Sequence, residues 1–313
     1  MPVSAQKTPQ KNNSAQLAVV EIPNTVGWLP GKRLFIDCRR RFIAASLRRP
    51  DAERVLAHAV SWEEKIYRFF GVRKSVKQPV LIVIMENERE MKQFSKQKRF
   101  QGMSLSIPTA TEDTRIIVLT NNKEGLRNIL PHELAHLCVI DITRSLGRTK
   151  DHQHPAPLCI NEGIAERFTS ETEKQNIRRH LYRSVLRNKF LYLDTILYTT
   201  GYPDNMRDLA LFYCQSYSLV DYILSLPGGK QKLIVYLQRF DHASENPYEL
   251  FKEIFCGKVS SQTFQTAWMR YIYEQYRTPP QPPKKYQKRT KRKSGNLRKR
   301  TNGNMARAEI SYR

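Results

Sequence analysis

One short motif in this sequence has the residue types and spacing of a metal-dependent hydrolytic site. It is His132-Glu133-Leu134-Ala135-His136, in which the two histidines are four residues apart. An α-helix has about 3.6 residues per turn, so both imidazoles lie on one face and can supply two ligands of a catalytic zinc ion. Glu133 could accept a proton from a water at the open metal position. The alternative is a coincidental match in an ordinary buried helix, and a third ligand is needed to exclude it.

Three residues that follow the motif in the sequence are candidates for that third ligand. His152 and His154 lie in a segment whose composition predicts a loop, whereas Glu162 begins a second predicted helix. Packing of two helices would fix the carboxylate of Glu162. Glu166 lies one turn further along the same helix face, where it could hydrogen-bond the far nitrogen of a ligand histidine. A metzincin pattern is excluded, because it needs a histidine at the position of Ile142.

The bulk composition limits the class of protein. The chain has 313 residues with 40% hydrophobic residues, enough for a substantial core and one or two domains. No apolar run approaches the roughly 20 residues of a membrane-spanning helix, and the N-terminal region lacks a signal-peptide core of about 7–15 apolar residues. We therefore expect no membrane span and a cytoplasmic protein. The five cysteines show no CxxC spacing, which favours free thiols over disulfides or a cysteine metal site.

The positive charge is concentrated near the C-terminal end. The formal net charge is +24, and residues 278–313 contain twelve Lys and Arg but one Glu. Such a charge attracts polyanions without regard to their sequence, so the basic residues of 284–300 are candidates for nonspecific nucleic-acid contact. The commoner outcome is a solvated basic surface with a disordered tail.

The order of the predicted elements indicates an α+β fold. We predict a disordered segment at 1–24, an N-terminal subdomain with a small mixed sheet, helices and the HExxH helix at 25–160, a mostly helical C-terminal subdomain at 161–277, and a disordered Pro-rich and basic tail at 278–313. The predicted strands are Arg33–Cys38, Val80–Met85 and Arg115–Thr120. The predicted helices run from Asp51 to Gly71, from Asn87 to about Phe94, through the HELAH motif, and then over 161–170, 173–193, 209–226, 230–240, 247–255 and 262–276.

Two predictions concern the chain just before the HELAH motif. The segment Gln101–Asp113 contains Gly, Pro, Ser and Thr and predicts a loop. Pro131 lacks the amide hydrogen that an interior helix position needs. The helix therefore either begins near Leu130, with the proline in its first turn, or bends at this point.

The HELAH motif and the segment Asn161–Glu166 together resemble the motifs of a known enzyme clan. HELAH followed by Asn161-Glu162-Gly163-Ile164-Ala165-Glu166 is similar to the gluzincin zinc metallopeptidases, and more closely to the compact peptidase-MA-like domains of that clan. The resemblance implies one Zn²⁺ ion bound by His132, His136 and Glu162. It also implies that Glu133 is the general base and that Glu166 supports a ligand. Pro131 and Cys159 depart from the family pattern but remove neither a ligand nor the base.

The resemblance extends into a later helix and covers most of residues 28–277. Residues 211–220 are similar to the family's Tyr-rich segment, which implies that Tyr213 donates a hydrogen bond to the oxyanion. A phenol suits this role because it is a neutral donor at pH 7. Tyr217 is the alternative donor. If neither tyrosine has a catalytic role, they belong to an aromatic stripe in a helix core.

These features predict a zinc-dependent peptidase in which Glu133 assists the attack of water on a peptide or protein substrate. We further expect the strand Arg115–Thr120 to be an exposed edge that pairs with an extended substrate. Two alternatives stay open: a polyanion-binding protein on a metallopeptidase-like scaffold, and a zinc hydrolase with a non-peptide substrate. The sequence does not predict the oligomeric state.

Overall fold

A computed structural model describes residues 18–20, 31–36, 41–72, 78–94, 102–108, 113–146, 155–241 and 245–277. The chain has an α+β fold with a six-stranded mixed sheet followed by helices. The strands are β1 (Ala18–Val20), β2 (Arg33–Ile36), β3 (Phe42–Ser46), β4 (Val80–Met85), β5 (Gly102–Pro108) and β6 (Asp113–Thr120). The α-helices are α1 (Arg49–Phe70), α2 (Glu88–Phe94), α3 (Leu130–Ser145), α4 (Leu158–Arg167), α5 (Glu171–Val185), α6 (Leu193–Tyr198), α7 (Met206–Ser225), α8 (Gly229–Arg239), α9 (Pro247–Phe251) and α10 (Ser261–Tyr276).

The sheet has the strand order β1-β2-β3-β4-β6-β5, and its two faces carry different cores. The central strands β3, β4 and β6 are parallel, whereas the outer pairs are antiparallel. Alternate residues of a strand point to opposite faces. On β4, Ile82 and Ile84 therefore join the large core under α1 and α3, while Val83 and Met85 join a small cluster with Met91 of α2. The sheet thus supports the HELAH helix on its larger core.

Several predicted elements need correction. The segment Gln101–Asp113 was predicted to be a loop, and this was wrong because β5 forms there as an antiparallel partner of β6. Pairing with the buried strand β6 outweighs the loop-like composition of this segment. The segment 1–24 was predicted to be disordered, but its residues 18–20 form β1; the others lie outside the described residues. The predictions also missed β3 and α6, and the predicted subdomain boundary at residue 160 falls inside α4.

The start of the HELAH helix confirms the first alternative for Pro131, because α3 begins at Leu130 and the proline lies in its first turn. A π-helical turn at Gly125–Ile129 leads directly into α3, and the amide of Leu130 donates to the carbonyl of Gly125. The wider turn changes the hydrogen-bond ladder at the point where Pro131 has no donor. Strand β5 lies close to this turn, as shown by Gly102, where an added Cβ atom would collide with the side chain of Ile129. The helix therefore starts on a turn that is packed against the sheet edge.

The helical half is organised around α7, which packs on α4, α5, α8 and α10. Helices α4 and α7 approach closely at Gly163, where a Cβ atom would collide with the carbonyl of Ser216. One apolar core continues from α1 to α10 and includes Trp268 and Phe251. Since Gly163 follows Glu162 directly, this close approach fixes the height of that carboxylate relative to α7.

A buried set of charges fixes α3 to the sheet. We call Arg41, Glu63, Arg115 and Asp141 the anchor network. Arg41 Nε donates to Glu63 Oε1 at 2.7 Å, its Nη1 lies 2.7 Å from Asp141 Oδ2, and Arg115 of β6 pairs with the other oxygen of Asp141. Burial opposes the charge of Arg41, but Asp141, Glu63 and the other groups around it together outweigh burial and raise the pKa of the guanidinium. Two cations and two carboxylates balance one another beneath the HELAH helix.

Two further expectations concern the chain as a whole. Among the residues that the structure describes, none of the helices has the length and apolar character needed to span a bilayer. Cys138, Cys159, Cys214 and Cys256 are buried free thiols, as predicted, and Cys38 lies outside the described residues.

Candidate metal centre

The two histidines of α3 and one glutamate of α4 converge on a single point. His132 Nε2 and His136 Nε2 are 3.1 Å apart, and Glu162 Oε2 lies 3.3 Å from the first and 3.6 Å from the second. Helices α3 and α4 pack against each other, and Glu162 is only 1% exposed. The structure thus brings together the three residues predicted as ligands, with one ligand atom of each facing the same space.

The size of this triangle fits a small tetrahedral metal ion. Zinc ligands of the His and Glu types lie at about 2.0–2.2 Å, so neighbouring ligand atoms of a tetrahedral site are separated by about 3.3–3.6 Å. Two of the three observed separations fall in this range and the third, 3.1 Å, is slightly shorter. Glu162 Oε2 is also buried and accepts no hydrogen bond from any described residue. An unsatisfied buried carboxylate oxygen facing two imidazole nitrogens is a suitable position for a cation.

The electrostatics of the metal-free site point the same way. We call His132, Glu133, His136, Glu162 and Glu166 the acidic site cluster. Burial opposes protonation of His132, but the carboxylates of Glu166 and Glu162 outweigh it and raise the pKa of the imidazole to about 10. Burial also opposes ionisation of Glu162, but His136 and His132 outweigh it and hold the pKa of that carboxyl well below its usual range. The cluster therefore strongly favours positive charge between its carboxylates.

The other two carboxylates occupy distinct positions in this cluster. Glu133 lines the cavity beside the two histidines. Glu166 Oε1 lies 3.4 Å from His132 Nδ1, the nitrogen that faces away from the ligand triangle. Burial raises the pKa of Glu166 to about 7, with His132 opposing the rise and Glu162 and Glu173 adding to it. A carboxylate at the outer nitrogen fixes the orientation of a metal-binding imidazole.

The two candidate tyrosines of α7 lie in different surroundings. The Tyr213 ring centroid is 6.3 Å from that of His132, and Tyr213 lines the cavity. Burial, followed by the carboxylate of Glu162, raises the pKa of Tyr213 well above its usual value, so the phenol is a neutral donor at pH 7. Tyr217 is 1% exposed, and its hydroxyl accepts a hydrogen bond from Arg178 Nη2 at 2.8 Å. Of the two, only Tyr213 reaches the site.

One residue of the site was missed by the sequence analysis. Tyr202, between α6 and α7, donates a hydrogen bond from its hydroxyl to Glu162 Oε1 at 2.5 Å. Its ring stacks on Tyr213 with centroids 6.1 Å apart and planes at 23°. The sequence shows Tyr202 only inside a Gly-Tyr-Pro break between helices, which carries no local signal of a site.

The cluster opens into a cavity of about 810 Å³. One wall is the start of β5, where Gly102, Met103 and Ser104 line the cavity. The expectation that Arg115–Thr120 is an exposed edge was wrong, because β6 is paired with β4 on one side and β5 on the other. Strand β5 is the outer strand of the described sheet on this side.

Some predicted features cannot be placed. His152 and His154, the alternative third ligands, lie outside the described residues, as does the basic tail at 284–300.

In comparisons with known proteins, the chain matches no protein-family model and no curated protein. The interpretation of the site therefore depends on its own geometry and chemistry.

Proposed function

We propose that this protein is a zinc-dependent peptidase of the gluzincin type. The observation that supports this most strongly is the triangle of His132 Nε2, His136 Nε2 and Glu162 Oε2, with separations of 3.1–3.6 Å. Two imidazoles and one carboxylate leave a fourth position open for water or substrate, as in catalytic rather than structural zinc sites. His132, His136 and Glu162 are the residues that would bind the ion.

The chemistry then follows from the side chains around the open position. When bound, a zinc ion would act as a Lewis acid toward the scissile carbonyl and would acidify a bound water. Glu133 accepts the proton of the attacking water and passes it to the leaving amine. Tyr213 donates a hydrogen bond to the oxygen that becomes negatively charged as the carbonyl is attacked.

The cavity wall suggests how an extended peptide is oriented. Strand β5 has a free side in the described sheet, and its residues 102–104 line the cavity beside the HELAH helix. Backbone groups on such an edge can pair with an extended peptide segment. We infer that β5, rather than β6, aligns the substrate across the site.

The test is cleavage of a diverse peptide library by the zinc-loaded chain, followed by mass spectrometry. We expect discrete cleavage by the wild-type protein and a loss of at least about 10³-fold in Glu133→Gln, with the zinc content unchanged. Glu245→Gln is the matched control, because Glu245 is an exposed carboxylate that also lines the cavity. It should retain cleavage. Full activity of Glu133→Gln would contradict the mechanism, and a zinc-loaded wild-type protein that cleaves no peptide would contradict the proposed substrate class.

A further inference from the structure

The two oxygens of the Glu162 carboxylate face different partners. Oε2 faces the two histidine Nε2 atoms at 3.3 and 3.6 Å and accepts no hydrogen bond. Oε1 accepts a hydrogen bond from the Tyr202 hydroxyl at 2.5 Å. A carboxylate can bind a metal through one oxygen or through both. Here one of the two is already bound to a phenol.

From this asymmetry we propose that Tyr202 is a positioning residue that keeps Glu162 bound to the metal through Oε2 alone. This inference rests on the proposed function, since it concerns the third ligand of the same site. Binding through one oxygen keeps the coordination number low and the open position available to water or substrate. Binding through both oxygens would fill that space. Tyr202 therefore acts through Glu162 rather than on the substrate.

The chain on either side of Tyr202 is tied to the neighbouring helices, and the Tyr202 ring stacks on Tyr213. On the N-terminal side, Thr199 donates from its hydroxyl to the carbonyl of Thr195 at 2.8 Å. On the C-terminal side, the side chain of Asn205 accepts from the amide of Asp208 and caps α7. The Tyr202 ring rests on Tyr213 between these two points. A side chain fixed in this way can orient a buried ligand even though Tyr202 itself is 49% exposed.

The contact with Tyr213 also separates the roles of the two tyrosines. Tyr202 donates its only hydroxyl hydrogen to Glu162, so this hydrogen is not available to a substrate oxygen. Tyr213 lines the same cavity and shares a hydrogen bond with the Tyr202 hydroxyl. One phenol thus orients the ligand while the other faces the substrate space.

The test compares metal binding by the full chain and its Tyr202→Phe variant, which lacks only the hydroxyl. Zinc affinity is measured by competition with a chromophoric chelator, and coordination is measured from the visible absorption of the Co²⁺-loaded protein. We expect Tyr202→Phe to bind one metal ion about 10–100-fold more weakly, the usual effect of losing a partner of a metal ligand. Without the Tyr202 hydroxyl, both oxygens of Glu162 can bind the metal, which raises the coordination number. The Co²⁺ absorption of the variant should therefore weaken, because five-coordinate Co²⁺ absorbs less strongly than tetrahedral Co²⁺.

Tyr198→Phe is the matched control, because the Tyr198 hydroxyl bonds Asn246 at the cavity rim rather than a metal ligand. It should keep the wild-type affinity and spectrum. A Tyr202→Phe protein with the wild-type affinity and spectrum would overturn this inference and leave the proposed function intact. A wild-type chain that binds no metal would instead overturn the proposed function, and the inference with it. Circular dichroism of each variant shows that the fold is retained.

Discussion

Two groups of buried charges lie along the same helix and are organised in opposite ways. The anchor network under the C-terminal half of α3 pairs two arginines with two carboxylates. The acidic site cluster at the N-terminal half has three carboxylates and two imidazoles, and no Lys or Arg of the described chain pairs with it. Buried charge is costly unless it is compensated. In the first group two positive and two negative charges offset one another, whereas the second has an excess of carboxylates that could hold a metal ion.

This difference assigns separate tasks to the two ends of α3. Asp141, which is fully buried, joins the helix to β6 through Arg115 and to the start of β3 through Arg41. His132 and His136 remain at the cavity, with side chains 14% and 13% exposed. The anchor network positions the helix, and the acidic site cluster is available for chemistry.

Breaking the anchor network should have the largest effect on stability. Asp141→Ala leaves Arg41 and Arg115 buried without their shared carboxylate, so we expect a loss of about 3–5 kcal/mol in the free energy of unfolding. Urea denaturation of the metal-free protein measures this loss. Glu162→Gln in the same metal-free state should cost less, because it leaves no arginine unpaired. Equal losses would show that the two groups do not differ in the way described.

A change between α4 and α7 should disturb the site with a moderate loss of stability. Gly163→Ala introduces a Cβ atom against the carbonyl of Ser216, so the helices must separate. We expect about 1–3 kcal/mol of destabilisation from overpacking, together with weaker zinc binding because Glu162 moves with α4. Gly201→Ala is the control, since a Cβ atom there meets no atom within 4 Å. Thermal unfolding and chelator competition measure the two effects, and a Gly163→Ala protein that behaves like Gly201→Ala would contradict this account.

The smallest expected effect concerns the outer nitrogen of His132. Glu166→Gln keeps the shape of the side chain but removes the charge that faces His132 Nδ1 at 3.4 Å. We expect zinc affinity to fall about 10-fold, at the lower end of the range for partners of metal ligands. Chelator competition measures this fall, with Glu245→Gln as the control. An unchanged affinity in Glu166→Gln would indicate that the contact does not support the ligand.

The sequence was most informative where the spacing of residues is local. His132 and His136 are one helical turn apart, so their common face follows from helix geometry alone. The third ligand required a resemblance, because no local rule links His136 to Glu162 across 25 intervening residues. The structure brings these residues together by packing α3 on α4.

The features that were missed depend on contacts between distant segments. Strand β5 has the composition of a loop and becomes a strand because β6 offers a paired edge. The π-helical turn before Pro131 lies against that strand, at Gly102. Tyr202 reaches Glu162 across 40 residues, and its role cannot be read from the residues beside it.

The central claim is that the acidic site cluster binds one zinc ion. Its most direct test is the metal content of the purified chain, measured by elemental mass spectrometry after loading with Zn²⁺ and exhaustive dialysis against zinc-free buffer. We predict one zinc ion per chain in the wild-type protein and almost none in His136→Ala. His58→Ala, which removes an exposed histidine of α1, should retain one ion. Equal zinc contents in the wild-type and His136→Ala proteins, or no zinc in either after loading, would contradict the claim.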